Sequence, residues 1–356
     1  MRTSLDHTEA LLQLDKSQLL QATAAGHKWI AEGYERALQF EAPKLTRSIH
    51  EIVVCSVGGG PVASLVQLKS LVHDRLRVPV ILSQAYSMPA YVDEDSLVIV
   101  VNYSGGSEEI VSAYEHAAKT GAFILVMSAG GKAKEIAAEH GHSFYALPEG
   151  RVPRIISTGH VLVPLLVILH QMGLLDDPAA DIAETAALLE RLSDQYGAEV
   201  PLERNAAKQI AAEMDGLIPV IYGTLPFTDA AALRFKNQLA ENGKVMAFAN
   251  AMSALHHDEA YGWDADSAML RQFHFTLLRD REDSPAMSKR IAATRDVLRG
   301  QAGGVRELAS IGESRLARLC SLVHTIDFVT LYTALIRGVN PAQSDALNRF
   351  RKLYTS

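Results

Sequence analysis

Short apolar runs alternate with helix-like segments along most of this chain. Ile52–Ser56, Val78–Ser83, Leu97–Val101, Phe123–Met127 and Ser143–Leu147 are each strand-sized. Leu97–Val101 is apolar without a break, as a strand buried on both faces requires. Between the runs, apolar positions recur at helical spacing: from Ser56–Pro61 to about Val72, beyond Val101 to about Lys119, and over Ala129–His140. Regular strand–helix alternation predicts a parallel sheet covered by helices.

A second alternation follows. It predicts strands at Ile218–Tyr222, Val245–Ala249, Leu270–Leu278 and Gly304–Ala309, with helices over 224–241 and Ser284–Leu298. Residues 5–40 predict one or two helices, and 155–197, Glu313–Arg337 and Pro341–Leu353 are helical in pattern. The expected organisation is a helical segment over 1–45, a first α/β subdomain over 46–175, a helical connection over 176–200 and a second α/β subdomain with C-terminal helices over 201–356. The fold class is α/β, with two subdomains of the same architecture.

Chemistry concentrates in the loop that follows Leu97–Val101. Asn102, Ser104, Gly105, Gly106 and Ser107 lead directly into an acidic helix start. A strand, a small-and-hydroxyl turn and a helix N-terminus direct free backbone N–H groups and the positive end of a helix dipole at one point. Hydroxyls of Ser104 and Ser107 can donate there too. The ligand group this suits is phosphate. The loop contains neither Lys nor Arg, so amides, hydroxyls and dipole must hold it. A turn with an ordinary N-cap is the competing reading. A second glycine-rich turn, with Gly58, Gly59 and Gly60, follows Ile52–Ser56. Both turns sit at strand carboxyl ends, where ligands bind in folds of this kind.

Composition narrows the partners. The chain has 356 residues, a net charge of −7 and a pI near 6, so neither nucleic acid nor an anionic membrane is expected. Two cysteines, Cys55 and Cys320, make no disulfide framework or metal-site spacing. The segment around Val161–His170 is short for a membrane span, and no apolar leader opens the chain. The cytoplasm is the expectation. His256, His257, Asp258 and Glu259 are adjacent but lack the spacing of helical zinc motifs, so no metal is expected. Ala63 stands at the third glycine of a dinucleotide fingerprint, and Ser83 and Gln84 end the second strand without an acid for a ribose.

Six segments in order resemble a known family: 56–61, NYSGGSEE at 102–109, PEGRVPR at 148–154, LAENGK at 239–244, LHHDEAYGW at 255–263 and HTIDFVTLYTALIRGVNP at 324–341. Together they resemble the bifunctional phosphoglucose/phosphomannose isomerases, a branch of the sugar isomerase (SIS) domain proteins. The resemblance extends from about residue 50 to the end. It implies two SIS-type subdomains, a homodimer, and cofactor-free interconversion of glucose 6-phosphate or mannose 6-phosphate with fructose 6-phosphate through a cis-enediolate.

The resemblance also implies roles. Glu241 takes the position of the catalytic base, which a raised pKa would suit. His257 takes that of the ring-opening histidine, 16 residues on as in the family, and is to act in its own or the partner's site. Arg154 takes that of the cation at the enediolate, where a guanidinium can fork to adjacent oxygens. Arg151 reads as solvated and His256 as the lesser participant. Phosphate contacts fall to Ser104, Ser107, Asn102, Gly59 and Gly60. The apolar FVTLYTALI stretch is expected to offer dimer surface.

Three positions depart from the family. Gly60 stands where Ser or Thr is usual, Asn102 replaces the first serine of the loop, and Arg351 occupies the place of a lysine near the ring oxygen, with Lys352 beside it. The alternatives are a sugar-phosphate sensor without turnover, or SIS chemistry on an amino-sugar or glycated-amine phosphate.

Overall fold

The computed structural model describes residues 4–354, which form two compact units. Helices α1 (Thr8–Leu14) and α2 (Leu19–Ala24) open the chain but cluster with residues beyond 188. Thr8 Oγ1 donates to the Ala198 carbonyl at 3.0 Å, and the Leu202 N–H donates to Asp6 at 2.7 Å. The periodicity over 5–40 thus resolves into three helices rather than one or two. Asp15 divides α1 from α2 by accepting the N–H groups of Leu19 and Leu20.

The unit of residues 26–187 and 314–317 begins with α3 (Gly26–Leu38). Strands β1 (Glu51–Cys55), β2 (Val80–Ser83), β3 (Ser96–Val101), β4 (Phe123–Ser128) and β5 (Ser143–Ala146) form one parallel sheet in the order β2-β1-β3-β4-β5. Helices α4 (Gly59–Val72), α5 (Glu108–Ala117) and α6 (Gly131–His140) connect them. Every residue of β3 is buried, which is why its sequence shows no alternation. Val53, Val98, Val100, Ile110, Tyr114 and Val126 share the core on one face. Chain direction across the sheet reverses between β1 and β3. The carboxyl ends of these two strands are where ligands bind in open parallel sheets of this topology.

Helix α7 (Pro153–Ser157) then runs through a π-helical turn (Thr158–Leu162) into α8 (Val163–Gln171). A crossing with α3 shapes this stretch. A Cβ on Gly33 would fall 1.8 Å from the Gly159 carbonyl oxygen, and one on Gly159 would fall 2.4 Å from Trp29 backbone. The run Pro153–Gln171 is longer than Val161–His170 alone indicated. It and Arg315–Ile336 are long and apolar enough to cross a membrane, which corrects the expectation from length, and both are largely buried within the protein.

Chain passes to the other unit within α9 (Ala179–Tyr196). There α10 (Ala206–Met214) precedes β6 (Ile218–Thr224), α11 (Thr228–Glu241), β7 (Phe248–Met252), α12 (Ser267–Leu270), β8 (Phe273–Arg279), α13 (Pro285–Leu298) and β9 (Gly304–Ala309). These strands form a parallel sheet in the order β7-β6-β8-β9. Its core contains Val220, Tyr222, Met252, Phe275, Leu277 and Ile291. The expected strand Val245–Ala249 lies three residues further on as β7, because Lys244 and Val245 still close α11: the Val245 N–H donates to the Leu239 carbonyl at 3.0 Å.

Helices α14 (Arg315–Ile336) and α15 (Asp345–Tyr354) follow β9. FVTLYTALI, expected to supply dimer surface, is core: Phe328, Val329, Leu331, Tyr332, Ala334 and Leu335 are all buried. Exposed apolar side chains sit instead on α15, at Leu347, Phe350, Leu353 and Tyr354.

Candidate active site

At the carboxyl end of β3, Asn102 is buried while Ser104 is exposed and Ser107 half-buried. Both hydroxyls donate to the Asn102 side-chain oxygen, Ser107 at 3.1 Å and Ser104 at 3.4 Å. Ser107 is the N-cap of α5, yet its side chain makes no bond to the helix. The Ile110 and Val111 N–H groups donate to the Ser107 main-chain carbonyl at 3.1 and 2.9 Å, so the Ser107 hydroxyl turns to Asn102 instead of capping the helix. Asn102 Nδ2 is buried without a protein partner among the described residues. A buried amide donor needs an acceptor. An anion beside the two serines would supply one, at the positive end of the α5 dipole.

The loop is held from below and from the side. Gly105 has φ +71°, and a Cβ there would fall 1.6 Å from the Gly130 carbonyl oxygen. The Ala129 N–H donates to the Tyr103 carbonyl and the Ala133 N–H to the Gly105 carbonyl, each at 2.9 Å. Tyr103, which the sequence motif does not distinguish, joins two functional segments. Its hydroxyl donates to the Pro148 carbonyl at 2.8 Å and accepts the Arg151 N–H at 2.9 Å. The turn that leads to Arg154 is thereby tied to the serine loop.

Arg154 follows Pro153 in the first turn of α7 and is half-buried. Gly59 and Gly60 are the first residues of α4, with Gly58 (φ +92°) as N-cap, so their N–H groups belong to a helix N-terminus. Gly60 is buried against the Arg154 backbone. Arg151 is not merely solvated: its guanidinium lies 4.7 Å from the centre of the Trp29 ring. Below it, His160 in the π-helical turn is fully buried. Neither ring nitrogen has a hydrogen-bond partner among the described residues. Burial, with the Arg36 and Arg151 charges, pushes its pKa down to about 4. No sequence signal identified this histidine.

In the other unit, Glu241 is the last residue of α11 and half-buried. Its helix is anchored on α14. Buried Arg234 binds Asp327 through two bonds of 2.9 and 2.6 Å. Asn242, fully buried, donates to Gln238 Oε1 at 2.8 Å and Thr330 Oγ1 at 3.0 Å.

His257 ends a 3₁₀ turn (Ala254–His257) and is exposed. His256 is half-buried and bonds Thr294 Oγ1 at 2.8 Å. Burial first, then the Arg290 and His257 charges, lowers its pKa. Glu259 accepts from the Tyr222 hydroxyl at 2.5 Å and from Asn250 at 2.6 Å. His256 and Glu259 are thus engaged by protein groups. Among the described residues, no three His, Cys, Asp or Glu side chains are grouped to hold a metal ion. Arg351 and Lys352 lie exposed on α15.

Comparison with known proteins places the chain among sugar-phosphate enzymes. Residues 203–353 match the family model of the bacterial phospho-glucose isomerase C-terminal SIS domain. A bifunctional phosphoglucose/phosphomannose isomerase of Caldicellulosiruptor bescii is 36% identical over 312 residues, covering 88% of this chain and 91% of that protein. One from Aquifex aeolicus is 31% identical, covering 91% and 96%. A crystal structure of a glucose-6-phosphate isomerase like protein from Thermus thermophilus matches with a TM-score of 0.62 at 18% identity, covering 97% of this chain and 99% of that one. At that identity the likeness concerns the fold.

Proposed function

Because this chain belongs to the bifunctional phosphoglucose/phosphomannose isomerase family, we propose that it interconverts glucose 6-phosphate or mannose 6-phosphate with fructose 6-phosphate through a cis-enediolate. The observation that carries the reading is the cluster at the start of α5. Two serine hydroxyls and the buried Asn102 Nδ2, which has no partner among the described residues, meet at the positive end of the α5 helix dipole.

The reaction requires a ring opening and a proton transfer. The phosphate is held by Ser104, Ser107 and Asn102 with the N–H groups of Gly59 and Gly60. His257 assists as the C1 hydroxyl loses its proton and the ring oxygen gains one. Glu241 then removes the C2 proton of the open aldose. The electron pair forms the C1–C2 double bond and the C1 oxygen takes the negative charge. Arg154 forks to the two cis oxygens and stabilises that charge. A proton passes from the C2 oxygen to the C1 oxygen, protonated Glu241 returns its proton to C1, and the C2 oxygen becomes the ketone while C1 carries the hydroxyl. No electrons leave the substrate, so no cofactor is needed. Arg351 and Lys352 are the candidate contacts to the ring oxygen.

We also assign the protein to the cytoplasm as a homodimer, in which His257 serves its own or the partner's site. The exposed apolar side chains of α15 support a self-association surface.

The test is a coupled assay with glucose 6-phosphate, mannose 6-phosphate and glucosamine 6-phosphate. Turnover of the first two supports the proposal. Binding of all three without turnover indicates a sensor. Turnover of the amino sugar alone places the chemistry elsewhere in the SIS proteins.

A further inference from the structure

Helix α11 ends in an uncommon way. A helix that closes through a left-handed residue usually places glycine there. Gly243 is one position too early for this. Its missing side chain serves a close approach instead, since a Cβ would fall 2.8 Å from the Leu239 carbonyl oxygen and 3.3 Å from Thr333 Cγ2. The left-handed conformation falls to Lys244, at φ +54°. A lysine pays a steric penalty in that region that glycine does not.

The Lys244 ammonium shows what the conformation gains. It donates to the main-chain carbonyl of Glu241 and, at 2.9 Å, to that of Pro341. The first bond satisfies an oxygen at the end of α11, where a cation also meets the negative end of the helix dipole. The second reaches the segment that leads into α15, with Arg351 and Lys352. One ammonium therefore joins the residue proposed as the base to the chain leading to the proposed ring contact. Lys244 also lines a cavity of about 530 Å³ whose other charged groups are Asp215 and Arg337.

We propose that Lys244 is a positioning residue for Glu241. Its ammonium fixes the last turn of α11 and keeps positive charge beside the base. This rests on the isomerase reading above. A nearby cation favours the carboxylate form, so its loss raises the pKa of the base. The acid limb of kcat/KM must then move to higher pH.

The test compares Lys244→Gly, Lys244→Arg and Glu241→Gln in the full-length protein with glucose 6-phosphate. Glycine adopts φ +54° without strain and removes only the ammonium and its stem. The expected result for Lys244→Gly is a kcat about tenfold lower near neutral pH, KM within about threefold, and an acid limb about one unit higher. Lys244→Arg should recover most of both. A purely structural role would lower folded yield or Tm without moving the limb. If Lys244→Gly does not fold by circular dichroism, Lys244→Met is read in the same way. A limb and a kcat within about twofold of wild type, in an enzyme that Glu241→Gln silences, overturn the proposal and leave the isomerase reading intact. A wild-type protein without turnover overturns that reading and this one with it.

Discussion

A Cβ on Gly60 would lie 2.4 Å from the Cα of Arg154 and 2.9 Å from its backbone nitrogen. The glycine that departs from the family's serine or threonine is therefore required by the approach of α7. A hydroxyl at this position has no room unless α7 moves. Gly60→Ser should lower stability by about 1–3 kcal/mol, the usual cost of overpacking, and should displace Arg154. We expect a lower Tm together with a reduced kcat. A Gly60→Ser enzyme with wild-type Tm and improved KM would show that α7 yields readily and that the hydroxyl is simply missing.

Ser104→Ala combined with Ser107→Ala removes both hydroxyls from Asn102 and from any phosphate. KM for glucose 6-phosphate should rise about tenfold or more, on the scale of a hydrogen bond to a charged group, with a smaller effect on kcat. Titration with inorganic phosphate provides a check independent of turnover. Equal phosphate affinity in the double variant and the wild type would exclude the loop as the phosphate site.

Glu241→Gln retains shape and removes the basic oxygen. It should lower kcat by about 10²–10⁴-fold, the range for general base catalysis, with little change in KM. Solvent deuterium should enter C2 of recovered glucose 6-phosphate with wild type and not with the variant. Persistent exchange at the wild-type rate would assign the base elsewhere.

His160 makes stability depend on pH. Its pKa is about 4 in the folded protein against 6.5 unfolded. The unfolded chain thus binds more protons between these values, so stability rises with pH across that window and is lost as pH falls from 6.5 towards 4. The difference corresponds to roughly 3 kcal/mol at the acid end. Urea titrations of His160→Leu should show a shallower pH slope between pH 4 and 6.5. Buried His274 is lowered to about 4 as well, so part of the slope should remain. An unaltered slope would mean that His160 is protonated in the fold.

Arg234→Met should destabilise the protein by about 3–5 kcal/mol, because Asp327 would remain buried without its partner. Adding Asp327→Leu should recover much of that loss. Chemical denaturation of the two single variants and the pair gives the coupling directly. Additive losses in the double variant would show that the two residues act independently.

Much of the architecture was legible because it rests on local pattern. Leu97–Val101 and Phe123–Met127 agree with β3 and β4 almost to the residue, since strands buried on both faces leave nothing polar to blur them. The error at β7 arose where helix closure consumes apolar Val245. The hydroxyls of Ser104 and Ser107 could be read from their loop, but their shared acceptor on Asn102 could not. Sequence alone assigns no role to Tyr103, His160 or Lys244 for another reason. Each meets a group distant in sequence, Pro148, Trp29 and Pro341, that only the fold brings near. FVTLYTALI showed that an apolar stretch does not declare whether it faces its own core or another surface.

The order in which the chain is made bears on helices α1 and α2. They leave the ribosome well before their partners, since Thr8 and Asp6 bond residues about two hundred positions later. The unit of residues 26–187 needs little chain from beyond itself and can begin folding while translation continues. Residues 4–25 belong to a unit whose next segment begins at residue 188, so they must wait without these partners until that segment has been made. During that interval Leu11, Leu19 and Leu20, buried in the finished protein, are the side chains for which a chaperone would compete.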